Sequence, residues 1–384
     1  MPSPFRVGGP VTGEFFTDRA EEVEEIYRAM RSPTRLLVRG HRRQGKTSAI
    51  AQAARRLRAE GGVVLWADLA TVARLSDLRD RLLSSLPPGF FGTVERLKKL
   101  DPVLEVLLDP ATGHHTYRFR MLPRPADVVG VREQTRLLVE AIDEHVAETG
   151  RPLAVVFDEV QAVTLLDEER VDWFLRDLMQ SAAHLSFICA GSQPSLLRAV
   201  SEERHSAFFR FFSTGPTFGA IEPEHLSRWI ASRLTSAGVC CSDDEAGRIV
   251  AIGDRTQDVM QLADAIYAAG EGPGRVDAGV REAALSRLLQ KESARFLTLW
   301  SELTSNQRVV ARALASGATN LYAQDTGLPI ASSSIHRSVE GLRKKGLLVD
   351  APGRERLDDP FFGEWILRFA MADSVPEGVA GDGT

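Results

Sequence analysis

The sequence has little of what marks secreted or membrane proteins. It contains only three cysteines, Cys189, Cys240 and Cys241, and their spacing fits neither a disulfide framework nor a zinc site. No apolar run approaches the ~18 residues that a membrane span needs, and the N-terminus lacks a signal-peptide pattern. These absences argue against a disulfide-built secreted domain and an integral membrane protein. We therefore expect a cytoplasmic protein without a membrane partner.

A strong excess of charge of one sign is also lacking. The 47 Lys and Arg residues nearly balance the 52 Asp and Glu residues, which gives a net charge of -5. This balance argues against a protein coated in basic surface for unspecific nucleic-acid binding, although one local basic face stays compatible with it. The chain is, however, long and rich in apolar residues. With 384 residues, 43% of them hydrophobic, the chain predicts two or three domains.

A strand, a loop with glycines, a helix and a second strand follow one another near the N-terminus. The apolar run 36–38 predicts a buried strand, and the Ala- and Arg-rich stretch 47–60 predicts a helix. The run 63–66 predicts the second strand. An earlier helix is expected to begin with Asp18 as its N-cap. The order is that of a βαβ unit, which is typical of α/β proteins.

The rest of the chain divides into a strand-bearing part and a helical part. The apolar runs 153–157 and 185–190 predict two more buried strands of a sheet that we expect to end near residue 219. Residues 110–125 read as an irregular patch. Residues 220–290 lack a convincing strand and predict helices. The predicted helices include 222–234, 243–252 and 259–269.

The loop after the first strand has the sequence Gly40-His41-Arg42-Arg43-Gln44-Gly45-Lys46-Thr47, which matches GxxxxGK[ST]. Its glycines let successive N–H groups face phosphate oxygens, and the following helix adds a positive dipole. Lys46 is expected to reach the β- and γ-phosphates, and the Thr47 hydroxyl to ligate Mg²⁺. We therefore predict a site for ATP and Mg²⁺, with a surface turn that happens to fit as the alternative. The predicted nucleotide-binding residues are Gly40, Arg42, Arg43, Gln44, Gly45, Lys46, Thr47 and Ser48.

Two acids, Asp158 and Glu159, end the predicted strand 153–157. Ligands of open α/β sheets bind at the edge where the strands end. Asp158 is thus placed to hold magnesium through water, and Glu159 to orient or deprotonate an attacking water. The alternative is a pair of solvated acids that begin a loop. Because the phosphate-binding pattern lies upstream, we favour the catalytic interpretation.

Three residues are weaker candidates for the reaction. Ser192 and Gln193 end the strand predicted over 185–190, where a polar side chain can touch the γ-phosphate or the water, although a Gly-Ser turn is equally ordinary. Arg210 lies among four aromatic residues in the segment 208–212. It can act as an arginine finger, or it can be an arginine that snorkels at a packed helix end.

Residues 295–372 predict a winged helix-turn-helix, with helices followed by strands near 347–349 and 354–357. The helix predicted over 332–345 carries a basic group of side chains. A helix-turn-helix protein lays such a helix in the major groove of DNA, but basic residues near a helix C-terminus also complement its dipole in a module that docks on protein. Both interpretations stay open. The predicted DNA contacts are Arg337, Arg343, Lys344 and Lys345.

Taken together, these residues resemble the archaeal-type P-loop ATPases, which lie between the signal-transduction (STAND) NTPases and the AAA-type ATPases such as the origin-recognition proteins. The resemblance spans nearly the whole chain in the family's order. The Asp-Glu-x-Gln form at 158–161 and the terminal Asp-Pro-Phe are more particular to the family than the two phosphate-site motifs. The matching pieces are Phe5–Pro10, Phe16 with Asp18-Arg19, Gly40–Ser48, Phe157–Gln161, Ala190–Ser192, Leu347-Leu348 and Asp359-Pro360-Phe361.

The resemblance implies an α/β P-loop NTPase core with a parallel five-stranded sheet over 1–219, a helical lid over 220–294, a winged helix over 295–372 and a disordered tail over 373–384. It also implies that ATP lies at the domain junction, near Val7, Gly8, Gly9 and Pro10 at the adenine. One departure is Thr256-Gln257-Asp258, which stands where the family's lid has a Gly-x-Pro contact. Arg204 and Arg210 both lie near the place expected for a second arginine.

These features predict an ATP-driven conformational switch with slow hydrolysis, which binds ATP and ADP and works with a protein partner or as a homo-oligomer. The alternative is a nucleotide-controlled DNA-binding protein of origin-recognition or regulatory type. A small-molecule kinase shares the P-loop, but residues 220–384 resemble a lid and a winged helix rather than an acceptor site.

Overall fold

A computed structural model describes residues 2–87, 90, 102–108, 115–121, 130–166, 169–192, 201–269, 274–322, 328–351 and 354–370. Gly8–Ile221 forms one compact unit, and Glu222–Thr384 forms a second unit that Met1–Val7 joins. The tail predicted to be disordered, 373–384, lies outside the described residues. Within the described residues, no helix is both long and apolar enough to span a membrane.

The first unit alternates helices and strands. Short 3-10 helices at Gly13–Phe15, Leu69–Thr71 and Val160–Leu165 connect some of them. In chain order the main elements are α1 (Ala20–Met30), β1 (Arg35–Gly40), α2 (Lys46–Ala59), β2 (Val63–Asp68), α3 (Leu75–Ser84), β3 (Pro102–Leu108), β4 (His115–Met121), α4 (Val131–Thr149), β5 (Leu153–Asp158), α5 (Val171–Ser181), β6 (Ser186–Gly191) and β7 (Ser213–Phe218).

Five of these strands form one parallel sheet in the order β2-β5-β6-β1-β7. As expected for strands covered on both faces, β1, β2, β5 and β6 read in the sequence as largely apolar runs, whereas β7 is mostly polar and partly exposed. On one face, Leu36 and Val38 pack in a core with side chains of α1 and α2. On the other, Leu37 and Phe157 share a core with α3, α4 and α5. The predicted α/β P-loop core with five parallel strands is confirmed.

Two local expectations are corrected. Asp18 is not an N-cap, since α1 begins at Ala20 and the residue before it, Arg19, has a left-handed φ of 67° and makes no capping bond. The buried Arg19 side chain instead bonds to the carbonyl oxygen of Gly219 and to Glu22. The patch expected to be irregular contains β4, which pairs antiparallel with β3. The period-2 alternation over 115–121 is the pattern that the irregular interpretation overlooked.

Helices form most of the second unit, and a small hairpin lies near its C-terminal end. The helix α9 runs unbroken across the boundary predicted between residues 294 and 295, so the lid region and the C-terminal module share it. In chain order the elements are α6 (Pro223–Ser236), α7 (Asp243–Gly253), α8 (Thr256–Ala269), α9 (Ala278–Ser301), α10 (Ser305–Ala315), α11 (Ser332–Lys344), β8 (Leu348–Ala351), β9 (Arg354–Leu357) and α12 (Pro360–Trp365), with a π-helical turn at Ile366–Ala370.

The N-terminal segment packs on the helices of this second unit. Phe5 is buried with its ring 6.0 Å from that of Trp229, in an edge-on arrangement. The Arg233 guanidinium donates to the carbonyl oxygen of Pro4 at 2.8 Å, and Ser3 Oγ donates to Asp264 at 2.5 Å. These contacts explain why the first seven residues belong to the helical unit.

Two ion pairs join the α7–α8 turn to the end of the hairpin. Arg255, only 1% exposed, contacts Asp358 Oδ1 at 2.9 Å. Next to it, Arg356 contacts both Asp254 oxygens at 2.8 Å. The α7–α8 turn supplies Asp254 and Arg255, and the end of the hairpin supplies the opposite charges, so each segment contributes one acidic and one basic side chain. The pairs fasten β9 to the helices that precede it.

The C-terminal elements have well-defined starts. Thr304 and Gln307 form a capping box at α10, and Asp359 caps α12 by accepting from the N–H groups of Phe361 and Phe362. The Asp-Pro-Phe motif thus forms the capped start of α12. β8 and β9 form an antiparallel hairpin after α11. Residues 323–327, between α10 and α11, lie outside the described residues, and the winged helix stays a prediction.

Candidate nucleotide site

The GxxxxGK[ST] loop connects β1 to α2 at the edge of the sheet where the strands end. Gly40 has a φ of 147°, and a Cβ there would lie 2.5 Å from the carbonyl oxygen of Phe218, so the close approach of β7 requires glycine. Gly45 precedes α2 with a φ of 84°. The backbone therefore turns sharply at both glycines. The loop leads directly into the N-terminus of α2, which favours an anion.

Lys46 lies inside this loop with 5% of its surface exposed. Its Nζ donates to the carbonyl oxygens of Gly40 at 2.8 Å and His41 at 2.7 Å. Burial lowers the pKa of Lys46 to about 8, while the nearby carboxylates of Glu159 and Asp158 oppose that shift. A buried ammonium beside two acids is poised to bind phosphate oxygens.

Thr47, in the first turn of α2, is in direct contact with Asp158, the last residue of β5. Thr47 Oγ1 donates to Asp158 Oδ2 at 2.9 Å. Burial raises the pKa of Asp158, and the hydrogen bond from Thr47 opposes that shift. A hydroxyl and a carboxylate from two different elements are oxygen ligands of the kind that Mg²⁺ prefers. These two residues therefore fit a magnesium ion.

Glu159 is held by two neutral partners. Ser192 Oγ lies 2.6 Å from both carboxylate oxygens, and Gln161 Nε2 donates to Oε2. The backbone of Glu159 is left-handed, with a φ of 52°, a conformation that costs energy for a residue other than glycine. The strand end and its hydrogen bonds thus fix the direction of the carboxylate.

Ser192 also connects Glu159 to the phosphate-binding loop. Arg42 Nε donates to Ser192 Oγ at 3.4 Å, so Arg42, Ser192 and Glu159 form one chain of hydrogen bonds. The structure therefore places Ser192 beside the acids, where the end of β6 was expected to bring it. Gln193, the other polar candidate, lies outside the described residues.

Sequence reasoning gave no role to Gln161, which is 4% exposed and touches Glu159. The available signal was the Asp-Glu-x-Gln form at 158–161, in which Gln161 stands two residues after Glu159; the structure places it in the short helical turn that follows β5.

Ser48 faces the segment that precedes α1. Its Oγ accepts from the N–H of Val11 at 3.1 Å, and Gln52 Oε1 accepts from the N–H of Gly13 at 3.2 Å. These bonds tie residues 11–13 to α2. The adenine-binding role predicted for Val7, Gly8, Gly9 and Pro10 stays a prediction. All four residues are exposed to solvent.

The structure does not bring Arg210 to this site. Because β7 runs parallel to β1, its first residue, Ser213, lies opposite Leu36, at the end of the sheet where strands begin. Gly40 is four residues further along β1, roughly 13 Å away at the rise of a strand. Arg210 precedes Ser213 and is exposed, with its guanidinium 5.4 Å from the Phe209 ring. Chain connectivity thus keeps it from the phosphate loop of its own molecule.

The basic side chains predicted to contact DNA lie on α11 and at its C-terminus. Arg337, Arg343, Lys344 and Lys345 are all exposed. Two of them have acidic neighbours, since Arg343 lies 3.8 Å from Glu355 and Lys345 lies 4.0 Å from Glu302. The helix therefore offers a basic face that is partly neutralised.

In the part of the chain that the structure describes, no group of three or more His, Cys, Asp and Glu residues could hold a metal ion. Cys189 and Cys241 are buried, and Cys240 is exposed.

Several solved structures are similar in fold to this chain. The Walker-type ATPase PABY2304 of Pyrococcus abyssi aligns over 95% of this chain and 99% of its own, with a TM-score of 0.65 and 16% identity. The ORC2 protein of Aeropyrum pernix in ADPNP–ADP complexes aligns over 93% of this chain and 95% of its own, with a TM-score of 0.55 and 14% identity.

The ORC1 protein of Aeropyrum pernix in complex with DNA covers 94% of this chain and 95% of its own, with a TM-score of 0.50 and 13% identity. No family model and no curated protein matches the sequence. At these identities the likeness shows the fold, and the geometry of the site carries the argument about function.

Proposed function

We propose that this protein is an ATPase of the archaeal P-loop type, and that its hydrolysis drives a conformational switch. The observation that carries the proposal is the convergence of Lys46, Thr47, Asp158 and Glu159 at one edge of the sheet. Lys46 donates to carbonyl oxygens of its own loop, Thr47 donates to Asp158, and Ser192 donates to Glu159. The fold shared with the Walker-type ATPase of Pyrococcus abyssi supports it.

The proposed chemistry divides among these residues. Backbone N–H groups of the loop and the Lys46 ammonium bind the β- and γ-phosphates. Thr47 and Asp158 would hold Mg²⁺, which neutralises phosphate charge when bound. Glu159 orients the attacking water and takes its proton, and Ser192 and Gln161 keep the carboxylate aimed. The products are ADP and inorganic phosphate.

The test is ATP turnover with and without magnesium, in the wild type and in Lys46→Ala. We expect magnesium-dependent phosphate release from the wild type. In Lys46→Ala it should fall at least about 10³-fold, because the removed charge stabilises the transferring phosphoryl group. Arg58→Ala, on the exposed side of α2, is the matched control and should keep wild-type turnover. Equal rates in wild type and Lys46→Ala would refute the proposal.

A switch also requires that the nucleotide change the second unit. We infer that the lid helices and the hairpin respond as one body, because Arg255 and Arg356 fasten β9 to the α7–α8 turn. Limited proteolysis with ATP or ADP present should give different cleavage patterns in residues 222–370. Identical patterns in both states would contradict the switch while leaving the ATPase intact.

A nucleotide-controlled DNA-binding protein is the second candidate. The exposed basic residues of α11 favour it, as does the fold shared with an ORC1 protein solved with DNA. Wild-type affinity for duplex DNA should then fall steeply with salt, and Arg337→Glu with Lys344→Glu should weaken it at every sequence. Absence of binding at low salt in both nucleotide states would eliminate this candidate.

A further inference from the structure

Phosphoryl transfer needs more positive charge than Lys46 supplies. Negative charge spreads over the phosphoryl oxygens in the transition state, and an arginine provided in cis or in trans stabilises it by about 10³–10⁵ in kcat in related chemistry. Arg210, the arginine that the sequence suggested, precedes β7 at the opposite end of the sheet. Its own molecule therefore cannot use it at the phosphate loop.

Arg42 lies where such an arginine is needed. It is the third residue of the phosphate-binding loop, and its Nε donates to Ser192 Oγ at 3.4 Å. That hydroxyl lies 2.6 Å from Glu159, the residue assigned to the attacking water. The Arg42 charge is also close enough to Lys46 to contribute to lowering the pKa of that lysine. The Arg42 guanidinium thus lies on the loop, connects to Glu159 through Ser192 and acts electrostatically on Lys46.

The environment of Arg42 differs from that of an arginine used for structure. Its side chain is exposed, whereas the structural Arg255 is 1% exposed and paired with a carboxylate. In the described residues, the neighbour that receives its hydrogen bond is a neutral hydroxyl. A guanidinium held by one long hydrogen bond can turn toward phosphate oxygens at little energetic cost, because the bond that it loses is weak.

We propose that Arg42 is the catalytic arginine of this site and acts in cis from the phosphate-binding loop itself. The inference rests on the proposed ATPase function and assigns a group to its transition state. The water oxygen forms a bond to the γ-phosphorus, and Glu159 accepts the proton. The bond between the γ-phosphorus and the bridging oxygen breaks, and its electron pair stays on ADP. Arg42 stabilises the charge that develops on the transferring oxygens, and it is not itself consumed.

The experiment compares wild type with Arg42→Ala, Arg42→Lys and the control Arg58→Ala. The measurements are kcat for ATP, the Kd of ATP and ADP with a fluorescent nucleotide, and trapping of ADP with aluminium fluoride. That last complex mimics the transition state and reports on it without turnover. Arg58 is also an exposed arginine, with its Nη2 on the carbonyl oxygen of Val64, so it tests for an unspecific effect of lost charge.

We expect kcat of Arg42→Ala to fall about 10³-fold while both Kd values change less than about threefold. Trapping with aluminium fluoride should be lost, and added guanidinium should restore part of the rate. Arg42→Lys should recover only a part, because an ammonium lacks the planar fork. Activity per molecule should not depend on protein concentration, as a cis arginine requires.

Three results would overturn this assignment. Wild-type kcat and trapping in Arg42→Ala would show that the side chain is not used. A parallel loss of ATP affinity, ADP affinity and kcat would make Arg42 a ground-state phosphate contact. Activity that rises with protein concentration and disappears in Arg210→Ala would place the arginine on a neighbouring molecule. A wild type that neither hydrolyses ATP nor traps the complex would refute the ATPase function together with the assignment.

Discussion

Two groups of residues in this protein, the candidate nucleotide site and the Arg255–Asp358 pair, hold buried charged side chains in opposite ways. At the candidate nucleotide site the buried Lys46 contacts two carbonyl oxygens, and Asp158 and Glu159 contact hydroxyl and amide groups. In the second unit the buried Arg255 contacts the carboxylate of Asp358 directly. Within the described residues, the first arrangement leaves charges with neutral partners, and the second neutralises them.

The difference has a physical meaning. A buried charge without a direct counter-ion lowers stability, because solvation is lost and is not replaced by an equally strong attraction. A site that keeps such charges holds them ready for a ligand of complementary charge. A direct pair is already satisfied and serves to join segments. The contrast therefore separates a group of residues built for binding from one built for the fold.

The largest effect is expected where the charge is used in chemistry. Glu159→Gln keeps the size of the side chain and its contacts with Ser192, but it removes the base. Turnover of ATP should fall by about 10²–10⁴-fold with ATP affinity retained. Phosphate release in single-turnover assays and binding of labelled ATP measure the two quantities. Unchanged turnover would mean that Glu159 is not the base, and the contrast would then no longer distinguish catalytic from structural residues.

Breaking the structural pair should affect stability and leave the chemistry alone. Arg255→Ala leaves Asp358 without its partner, and the second unit should lose about 3 kcal/mol of unfolding free energy, as for other buried pairs. Urea denaturation measures this loss, and ATP turnover should persist in the folded fraction. The double variant Arg255→Met with Asp358→Leu should regain most of the stability, since it leaves no unpaired charge. A double variant as unstable as the single one would contradict this account.

A smaller effect is expected from the neutral partner of the base. Ser192→Ala removes the hydroxyl that holds Glu159 and receives Arg42, and kcat should fall about tenfold, with little change in the Kd of ATP. Ser192→Thr keeps the hydroxyl and should restore most of the rate. Loss of ATP affinity in step with kcat would instead make Ser192 a contact for phosphate.

The smallest effect is expected at the exposed basic helix. Arg343 and Lys345 have acidic neighbours at 3.8 and 4.0 Å, and pairs of this kind at the surface contribute about 0–1 kcal/mol. Changing Lys345 to Ala should therefore leave the melting temperature within about 2 °C. If the helix binds DNA, the same change lowers the salt dependence of binding by about one counter-ion. A large loss of stability would mean that the basic face belongs to the fold.

The sequence was sufficient for those features in which local pattern and function coincide. The strand–loop–helix order around Lys46 predicts the phosphate-binding site, and apolar strands that end on acids predict where Asp158 and Glu159 meet it. The apolar runs predicted four of the five strands, and the five-stranded parallel sheet that the resemblance implied is confirmed. These features depend on residues that are close in sequence or on a rule for parallel strands.

Features that depend on contacts between residues far apart in the chain could not be predicted from the sequence. Arg356 and Asp254 are 102 residues apart, and no periodicity links them. The position of Arg210 depends on where β7 begins, and the mostly polar sequence of Ser213–Phe218 did not predict a strand there. Asp18 and Arg19 have a left-handed backbone, and the Arg19 side chain bonds to Gly219, two hundred residues away in the sequence.

The most direct test of the contrast is the thermal and urea unfolding of wild type and Lys46→Met, each with and without magnesium–ATP. Burial lowers the pKa of Lys46 from 10.5 to about 8, so below pH 8 its buried charge opposes folding, and this cost disappears as the pH rises toward 10.5. Without nucleotide at pH 7, Lys46→Met should be more stable than wild type by up to about 3 kcal/mol.

With magnesium–ATP the order should reverse, because only the wild type gains binding energy from the buried ammonium. That reversal, with the difference between the free proteins shrinking above pH 8, is the predicted result. A Lys46→Met variant that is less stable than wild type without nucleotide, or that is stabilised equally by ATP, would contradict the account.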